Sequence, residues 1–572
     1  MNTNKLVSLL FLLASLSTAS QQLLRPPLAF ADPGMDDYLQ RKPPGIVTVT
    51  LLNPPHNISA KKLKCTFVRF GSEFQVAKFF SFDKDGKVQF ALEDGFPYQQ
   101  LWLDIDHYFY AGVYVNTELN ITIDLRKIKS KDGLYMIGDG IEYTGTDGAL
   151  NKVMNEHVLY RKPIKNKLEN TLNELLRSKK KYSESVFLSI FDSIYKIIEG
   201  IDKAFIKNHP AYEWAINCKR TADLYGSLCY AYWFDKMPDS LYAQLKNISV
   251  YFTSNETVLF YNYLFTYLIY KRDNPKIDLN ETLYARYNNY SNEQRALLDS
   301  LRLYSSLPDE LKKETINRLN TKRQEFFQPD IELLQTEHYI KLTDSFFASP
   351  VSDILKTFLL EKGKSFFAQT YPEIARTMKT NWCSKIVQKE LDQMIVKQKR
   401  IDGIWALATN TTNSKLHIGT PIASLPFQAE LFRQDTFSDP DAFILNLRSR
   451  FPGQTLLIDF WATWCIPCIK DLPASKRLHE TNSDLPVAYI YICTNSGSSF
   501  SQWKNRIAEM QIPGTHIYAD DQLVNALKNR FSAGGSGFPT YVVIDSSGKL
   551  RRGAITRMDV LTRAELKKAA GL

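Results

Sequence analysis

Three changes of residue periodicity predict a multidomain chain: an N-terminal all-β sandwich, a central all-α domain and a C-terminal α/β domain. From about residue 45 to 143 apolar and polar positions alternate, with turn residues at short intervals. From about 149 to 404 the apolar residues recur at helical spacing. Beyond 415, strand-like runs alternate with helix-like ones, as parallel strands joined by crossover helices require. The expected boundaries are 45–145, 146–408 and 415–572, behind a leader over 1–31.

The leader reads as a secretory signal, with Lys5, an apolar run from Leu6 to Leu16 and then small residues. That run is shorter than the roughly 20 residues of a membrane span. Cleavage fits after Ala19 (Ser17-Thr18-Ala19) or after Ala31 (Ala29-Phe30-Ala31), and both stay open. No later segment is long and apolar enough to cross a bilayer, so the address expected is periplasmic or otherwise extracytoplasmic. The formal charge of +10 is spread over 572 residues with both signs interspersed, which argues for solubility and against nucleic acid as a partner. Seven cysteines are few for an exported chain of this length, so disulfides do not staple the fold; whether Cys218 and Cys229 pair is open.

In the first domain the candidate strands are Ile46–Leu51, Cys65–Phe70, Phe79–Phe82, Val88–Leu92, Leu101–Ile105, Tyr110–Val115 and Leu119–Leu125, forming a small antiparallel sandwich. Asp83-Lys84-Asp85-Gly86 supplies a hairpin turn, and His56 and His107 are isolated. No catalytic constellation appears there.

The central region carries its clearest helical face at Phe187, Ile190, Phe191, Ile194, Ile197 and Ile198. Prolines from Pro163 to Pro372 are expected to punctuate it into medium helices, and no fixed period supports a solenoid. Its dense aromatics, from Tyr225 to Tyr270, are expected in the core.

After a polar linker at 409–414, Asp439-Pro440 caps a helix that presents Phe443, Ile444 and Leu447. A buried strand, Leu456 to Trp461, then runs into a helix that opens at Cys465-Ile466-Pro467-Cys468. A strand at Val487–Ile492, a helix with Phe500, Trp503, Ile507 and Met510, and a short strand near Ile517 follow. A helix with Leu523, Val524 and Leu527 leads to a strand at Thr540–Ile544, a turn, a last antiparallel strand and a helix with the capping box Thr562-x-x-Glu565.

The first cysteine of a Cys-x-x-Cys at a helix N-terminus sits beside unpaired backbone N–H groups, which favour an anion. A free thiol has pKa about 8.5, while one so placed reaches roughly 7 or lower, and the thiolate is the nucleophile. Half of a zinc site has the same spacing, but the other five cysteines are singletons and Pro467 is foreign to a metal knuckle, so no metal is assigned.

Asp459-Phe460-Trp461-Ala462-x-Trp464-Cys465-x-Pro467-Cys468, with Phe538-Pro539-Thr540 ahead of another apolar strand, resembles a thioredoxin-fold oxidoreductase. Lys470, Asp471 and Pro473 extend the likeness to extracytoplasmic thiol-disulfide reductases of the TlpA/ResA type, with Asp where that family usually carries Glu. The likeness covers about residues 415–572; ahead of it, a β-domain followed by a helical one is similar to some multidomain members.

The resemblance implies Cys465 as attacking thiolate, Cys468 as resolving thiol, and Asp459 or Asp471 as the group accepting the Cys468 proton. It also implies a cis-proline at Pro539, with Phe538 and Trp464 contacting the substrate, and no cofactor beyond the redox pair. The function expected is reduction of protein disulfides, with protein thiols and disulfides as partners and a membrane electron donor upstream. A disulfide oxidase or isomerase on the same fold, or a partner-binding scaffold with an auxiliary redox domain, are the alternatives.

Overall fold

The structure is a computed structural model of the 572-residue chain and describes residues 28–54, 62–105, 109–128, 137–233, 235–271, 274, 276–308, 313–362, 366–410, 418–435, 439–532 and 537–572. The apolar run and first cleavage position of the leader, His56, His107 and most of the linker lie outside the described residues. Two compact units emerge, one of residues 1–279 and 332–391 and the other of 280–331 and 392–572.

In the first unit eight strands form two sheets: β1 (Ile46–Leu52), β2 (Lys62–Val68), β3 (Gln75–Ser81), β4 (Lys87–Ala91), β5 (Gln99–Ile105), β6 (Phe109–Val115), β7 (Glu118–Asp124) and β8 (Ile141–Thr144). One sheet runs β4-β1-β7-β8 and the other β3-β2-β5-β6. Alternation sends Val47, Val49, Leu119 and Ile121 of one sheet, and Leu63, Cys65, Leu101 and Leu103 of the other, into a shared core. Pairing is not wholly antiparallel, because β1 and β7 run parallel, Ile46 opposite Glu118 through Leu52 opposite Asp124. β1 and β7 are distant in sequence, so no hairpin fixes their relative direction and they are free to align either way.

The edge strand β6 is covered rather than exposed. Asn151, on the helix Gly148–Arg177, accepts from the Tyr114 N–H at 2.7 Å and donates to the Tyr114 carbonyl at 2.7 Å. One helical turn on, Asn155 donates to the Gly112 carbonyl at 3.4 Å, so amides four apart on a helix meet residues two apart on a strand. These amides satisfy part of an edge that would otherwise invite another strand.

The helix Glu184–Ile206 buries Phe187, Phe191, Ile194 and Ile198 and leaves Ile197 exposed. Asp202 on this helix holds His157 Nε2 at 2.8 Å and Arg220 Nη1 at 2.9 Å, which ties three helices through a buried ionic group. Cys218 and Cys229 are both free and buried. They lie on one helix, Glu213–Ala231, and eleven residues of helix separate them by about 16 Å, beyond bonding reach. Helices continue through Pro163, Pro329 and Pro372 instead of breaking there.

The second unit contains a six-stranded sheet: β9 (Thr420–Leu425), β10 (Ala429–Gln434), β11 (Thr455–Trp461), β12 (Val487–Thr494), β13 (Gly514–Ala519) and β14 (Thr540–Ile544). The order is β14-β11-β12-β13-β10-β9. The β11–β12, β12–β13 and β13–β10 pairs are parallel, and β14 and β9 close the two edges antiparallel. β11 and β12 are buried along their whole length because helices cover both faces. Leu456, Ile458 and Phe460 face the helices Pro440–Arg450 and Asp521–Phe531. Leu457 and Trp461 face the other way, toward the helices Ile466–Thr481, Phe500–Met510 and Arg563–Ala570. The expected final strand is reduced to a single bridge, Ile544 with Leu550, after the turn at Asp545–Gly548.

Candidate functional site

β11 ends at Trp461 and the chain turns through Ala462-Thr463-Trp464 into the helix Ile466–Thr481. Cys465 occupies the N-cap of that helix, and its Sγ accepts from the Cys468 N–H at 3.2 Å, as a capping oxygen would. Cys465 and Cys468 are joined as a disulfide, with Cα atoms 5.3 Å apart. Both are buried, Cys465 at 4% exposure, and the flanking Trp464 and Ile466 stand in solvent. Pro467 in the first turn forfeits no helical hydrogen bond there.

The Phe538–Pro539 bond is cis, and the Phe538 ring meets Trp464 edge-on at 5.9 Å between centroids. Trp464, next to Cys465 in the chain, and Phe538, next to Pro539, thus meet in one aromatic surface. Two residues that the motif did not mark hold this surface. Lys528, 2% exposed, places its Nζ 4.0 Å over the Phe538 ring and donates to the Gly537 carbonyl at 2.9 Å. Gly497, at φ +68°, lies against the Trp464 indole, whose Nε1 donates to the Ser496 carbonyl at 2.9 Å.

A Cβ on Gly497 would stand 2.9 Å from Trp464 Nε1. Gly497→Ala is therefore expected to push the indole off the Ser496 carbonyl and to cost about 1–2 kcal/mol for the left-handed backbone. Trp464→Phe in the same background serves as reference: the fluorescence change on Gly497→Ala should vanish when Trp464 is absent.

Beneath the active-site helix, register aligns a polar row across four strands: Tyr541 opposite Asp459, Asp459 opposite Tyr491, and Tyr491 opposite His516. Two residues of the helix, a turn apart, reach down to it. Asp471 accepts from the Tyr541 hydroxyl, and the Ser475 and Tyr491 hydroxyls are 2.8 Å apart. Asp471 also accepts from the backbone N–H groups of Met558 at 2.9 Å and Asp559 at 3.0 Å. It is thus a half-buried tie between the helix and the 558–559 segment.

Asp459 lies between the two tyrosines with its Oδ1 lacking a hydrogen-bond partner among the described residues. Burial first, and the neighbouring Asp471 charge second, push its pKa up to about 8. His516 Nε2 is 2.8 Å from the Ile512 carbonyl, which only accepts, so Nε2 carries the proton. Burial depresses its pKa to about 4, and it stays neutral against Tyr491, on which it stacks at 4.7 Å. Cys493, next to last in β12, is a buried free thiol, pushed up to about 12 by burial.

Comparison with known proteins agrees on this region. Residues 453–550 match the thioredoxin-like family. The chain is 26% identical over 117 residues to the thioredoxin-like protein YneN of Bacillus subtilis (strain 168), covering 20% of this chain and 65% of that one. It is 29% identical over 75 residues to the thioredoxin of Coprinus comatus, covering 13% of this chain and 68% of that one. Among solved structures it is similar to a thioredoxin-family thiol:disulfide interchange protein from Chlorobium tepidum TLS, at 22% identity and a TM-score of 0.19, covering 22% of this chain and 82% of that one. StoA from Bacillus subtilis is similar at 20% identity and a TM-score of 0.17, covering 21% of this chain and 83% of that one. The chain therefore spans less than two thirds of the length of YneN. Its C-terminal region is a thioredoxin-like domain, a fold that supports redox chemistry at paired thiols.

Proposed function

We propose that the protein is an exported thiol-disulfide oxidoreductase of the TlpA/ResA type that reduces disulfides in other proteins. The observation that carries this reading is a cysteine sulfur at the N-cap of a helix, bonded to a second cysteine one turn on. In the reduced chain the Cys465 thiolate attacks one sulfur of a substrate disulfide, forming a mixed disulfide and expelling the other sulfur as a thiolate. Cys468 then gives up its proton to Asp459, directly or through a water, and its thiolate attacks Cys465 Sγ. The second substrate sulfur leaves and takes a proton, and the Cys465–Cys468 disulfide forms. Two electrons have passed to the substrate, and a dithiol donor at the membrane returns the pair to its reduced form.

In this reading Asp459 is the proton acceptor and Asp471, whose oxygens already accept three hydrogen bonds, positions the helix. Export is supported by the leader. Cleavage after Ala19 suits the folded chain better than cleavage after Ala31, since Phe30 is buried against Phe70 and Trp382 and its N–H donates to the Val250 carbonyl at 3.0 Å. Among the described residues no helix is long and apolar enough to cross a membrane.

Cys468→Ala tests the order of the two sulfurs. It should accumulate a mixed disulfide through Cys465 with its protein partners, visible as reductant-sensitive adducts. Adducts from Cys465→Ala in place of Cys468→Ala would reverse the roles, equal yields from both would remove the order, and absence of adducts from both would end the reading.

A further inference from the structure

Lys528 lies in the last turn of the helix Asp521–Phe531, where a cation ordinarily stays in solvent and complements the helix dipole. Its side chain turns inward instead and is buried. Burial disfavours the ammonium, and the Asp521 carboxylate on the same helix works against that. A methionine of the same length would carry no such cost. Two neighbours receive the ammonium, the Gly537 carbonyl at 2.9 Å and the Phe538 ring, over which Nζ stands at 4.0 Å. The first contact is not needed to satisfy that carbonyl, since Thr540 Oγ1 also donates to it, at 2.7 Å. The second is one that only a cation makes.

The ring so held stands at the redox end of the sheet. β14 begins at Thr540, opposite Phe460, so Phe538 and Pro539 lie at the end from which β11 runs on into Cys465. There the half-buried Phe538 ring meets the indole of Trp464, which is exposed and next to Cys465 in the chain. Phe538 is thus the layer between a buried charge and the surface that a substrate meets. Resting on the proposed disulfide exchange, we infer that Lys528 is a positioning residue for polypeptide substrates, whose ammonium pins the Phe538 ring against Trp464 in the orientation that an extended segment binds. A small disulfide needs little beyond the thiolate, whereas an extended segment must also lie along the aromatic surface. Fixing that surface before the substrate arrives lowers the ordering that binding costs, so it acts on affinity and not on the exchange of sulfurs.

The test follows the reduced full chain through a single turnover with a synthetic disulfide-bonded peptide at rising concentration. A dipyridyl disulfide, small and uncharged, is the reference, and each peptide rate is divided by the same protein's rate with it. Lys528→Met keeps the length of the side chain, and Lys528→Gln keeps a donor for the Gly537 carbonyl; neither carries charge. Both should raise the half-saturating peptide concentration about fivefold and hold the limiting rate within about twofold, the pattern of lost binding. In a Phe538→Leu background Lys528→Met should add no further change, because the ring through which it acts is gone. An unchanged half-saturating concentration, an equal fall in the rates with both substrates, or an effect that persists without the ring overturns the inference. Loss of the dipyridyl reaction in both variants overturns it as well, since the lysine would then serve folding alone. Failure of the unaltered protein to react with the dipyridyl disulfide would instead sink the redox reading on which it rests.

Discussion

Cys465→Ser is expected to lower the rate of disulfide exchange by at least roughly a thousandfold, because a hydroxyl at this N-cap cannot supply the thiolate that attacks sulfur. The substitution is nearly isosteric and should leave the helix start intact. Serine is a favoured N-cap residue, and its Oγ can take the Cys468 N–H that Cys465 Sγ now accepts at 3.2 Å. Loss of activity would therefore report chemistry and not folding. The measurement is single-turnover reduction of a disulfide-bonded protein, with the unfolding transition of the same sample as control. Exchange that persists within tenfold of the unaltered chain would show that the nucleophile lies elsewhere.

The C-terminal domain was legible because its strands are short, apolar and separated by helices with explicit caps. Asp439 accepts from Ala442 N–H at 2.8 Å, and Thr562 and Glu565 form the reciprocal capping box. The β-domain was legible as strands but not as pairing. Period two reveals which face a residue takes, and it carries no information on whether β1 and β7 run parallel or antiparallel. β8, four residues with one buried side chain, has too little pattern to register. Pro163, Pro329 and Pro372 misled in the other direction. Each removes one backbone donor at a cost that local spacing makes look decisive, yet the chain stays helical through all three.

At the site, the residues that a motif fixes are the ones that sequence could nominate: Cys465, Cys468, Pro539, Trp464 and Phe538. Lys528, Gly497 and Tyr541 could not be nominated, since each reaches the site from an element remote in sequence. Lys528 follows Leu527 on a helix whose spacing gives no reason for a buried ammonium, yet it ends over the Phe538 ring. Asp471 shows the converse. Position alone leaves it open between proton acceptor and first-turn acid, and only register, which sets Tyr541 beside Asp459, brings the tyrosine hydroxyl to it.

Asp459→Asn should change how stability depends on pH, and by an amount large enough to measure. In the folded domain burial raises the Asp459 pKa from 3.8 to about 8, and in the unfolded chain it returns to 3.8. Between those values the folded state keeps a proton that the unfolded state has lost. The contribution to stability is thus complete below about pH 4 and is lost as pH rises toward 8, at up to about 1.4 kcal/mol per pH unit. Asparagine fills the same space without titrating, so at pH 8 the variant should exceed the unaltered domain by on the order of 2–4 kcal/mol, with the gap closing toward pH 5. Because several domains share the chain, global unfolding would blur the effect, and hydrogen exchange at the β11 amides reads the domain itself. With both cysteines present, the same substitution should slow resolution of the transient mixed disulfide, because Cys468 loses its proton acceptor. A β11 protection profile that falls with pH equally in both proteins would show that burial does not raise the Asp459 pKa and that the folded domain holds no proton there at neutral pH.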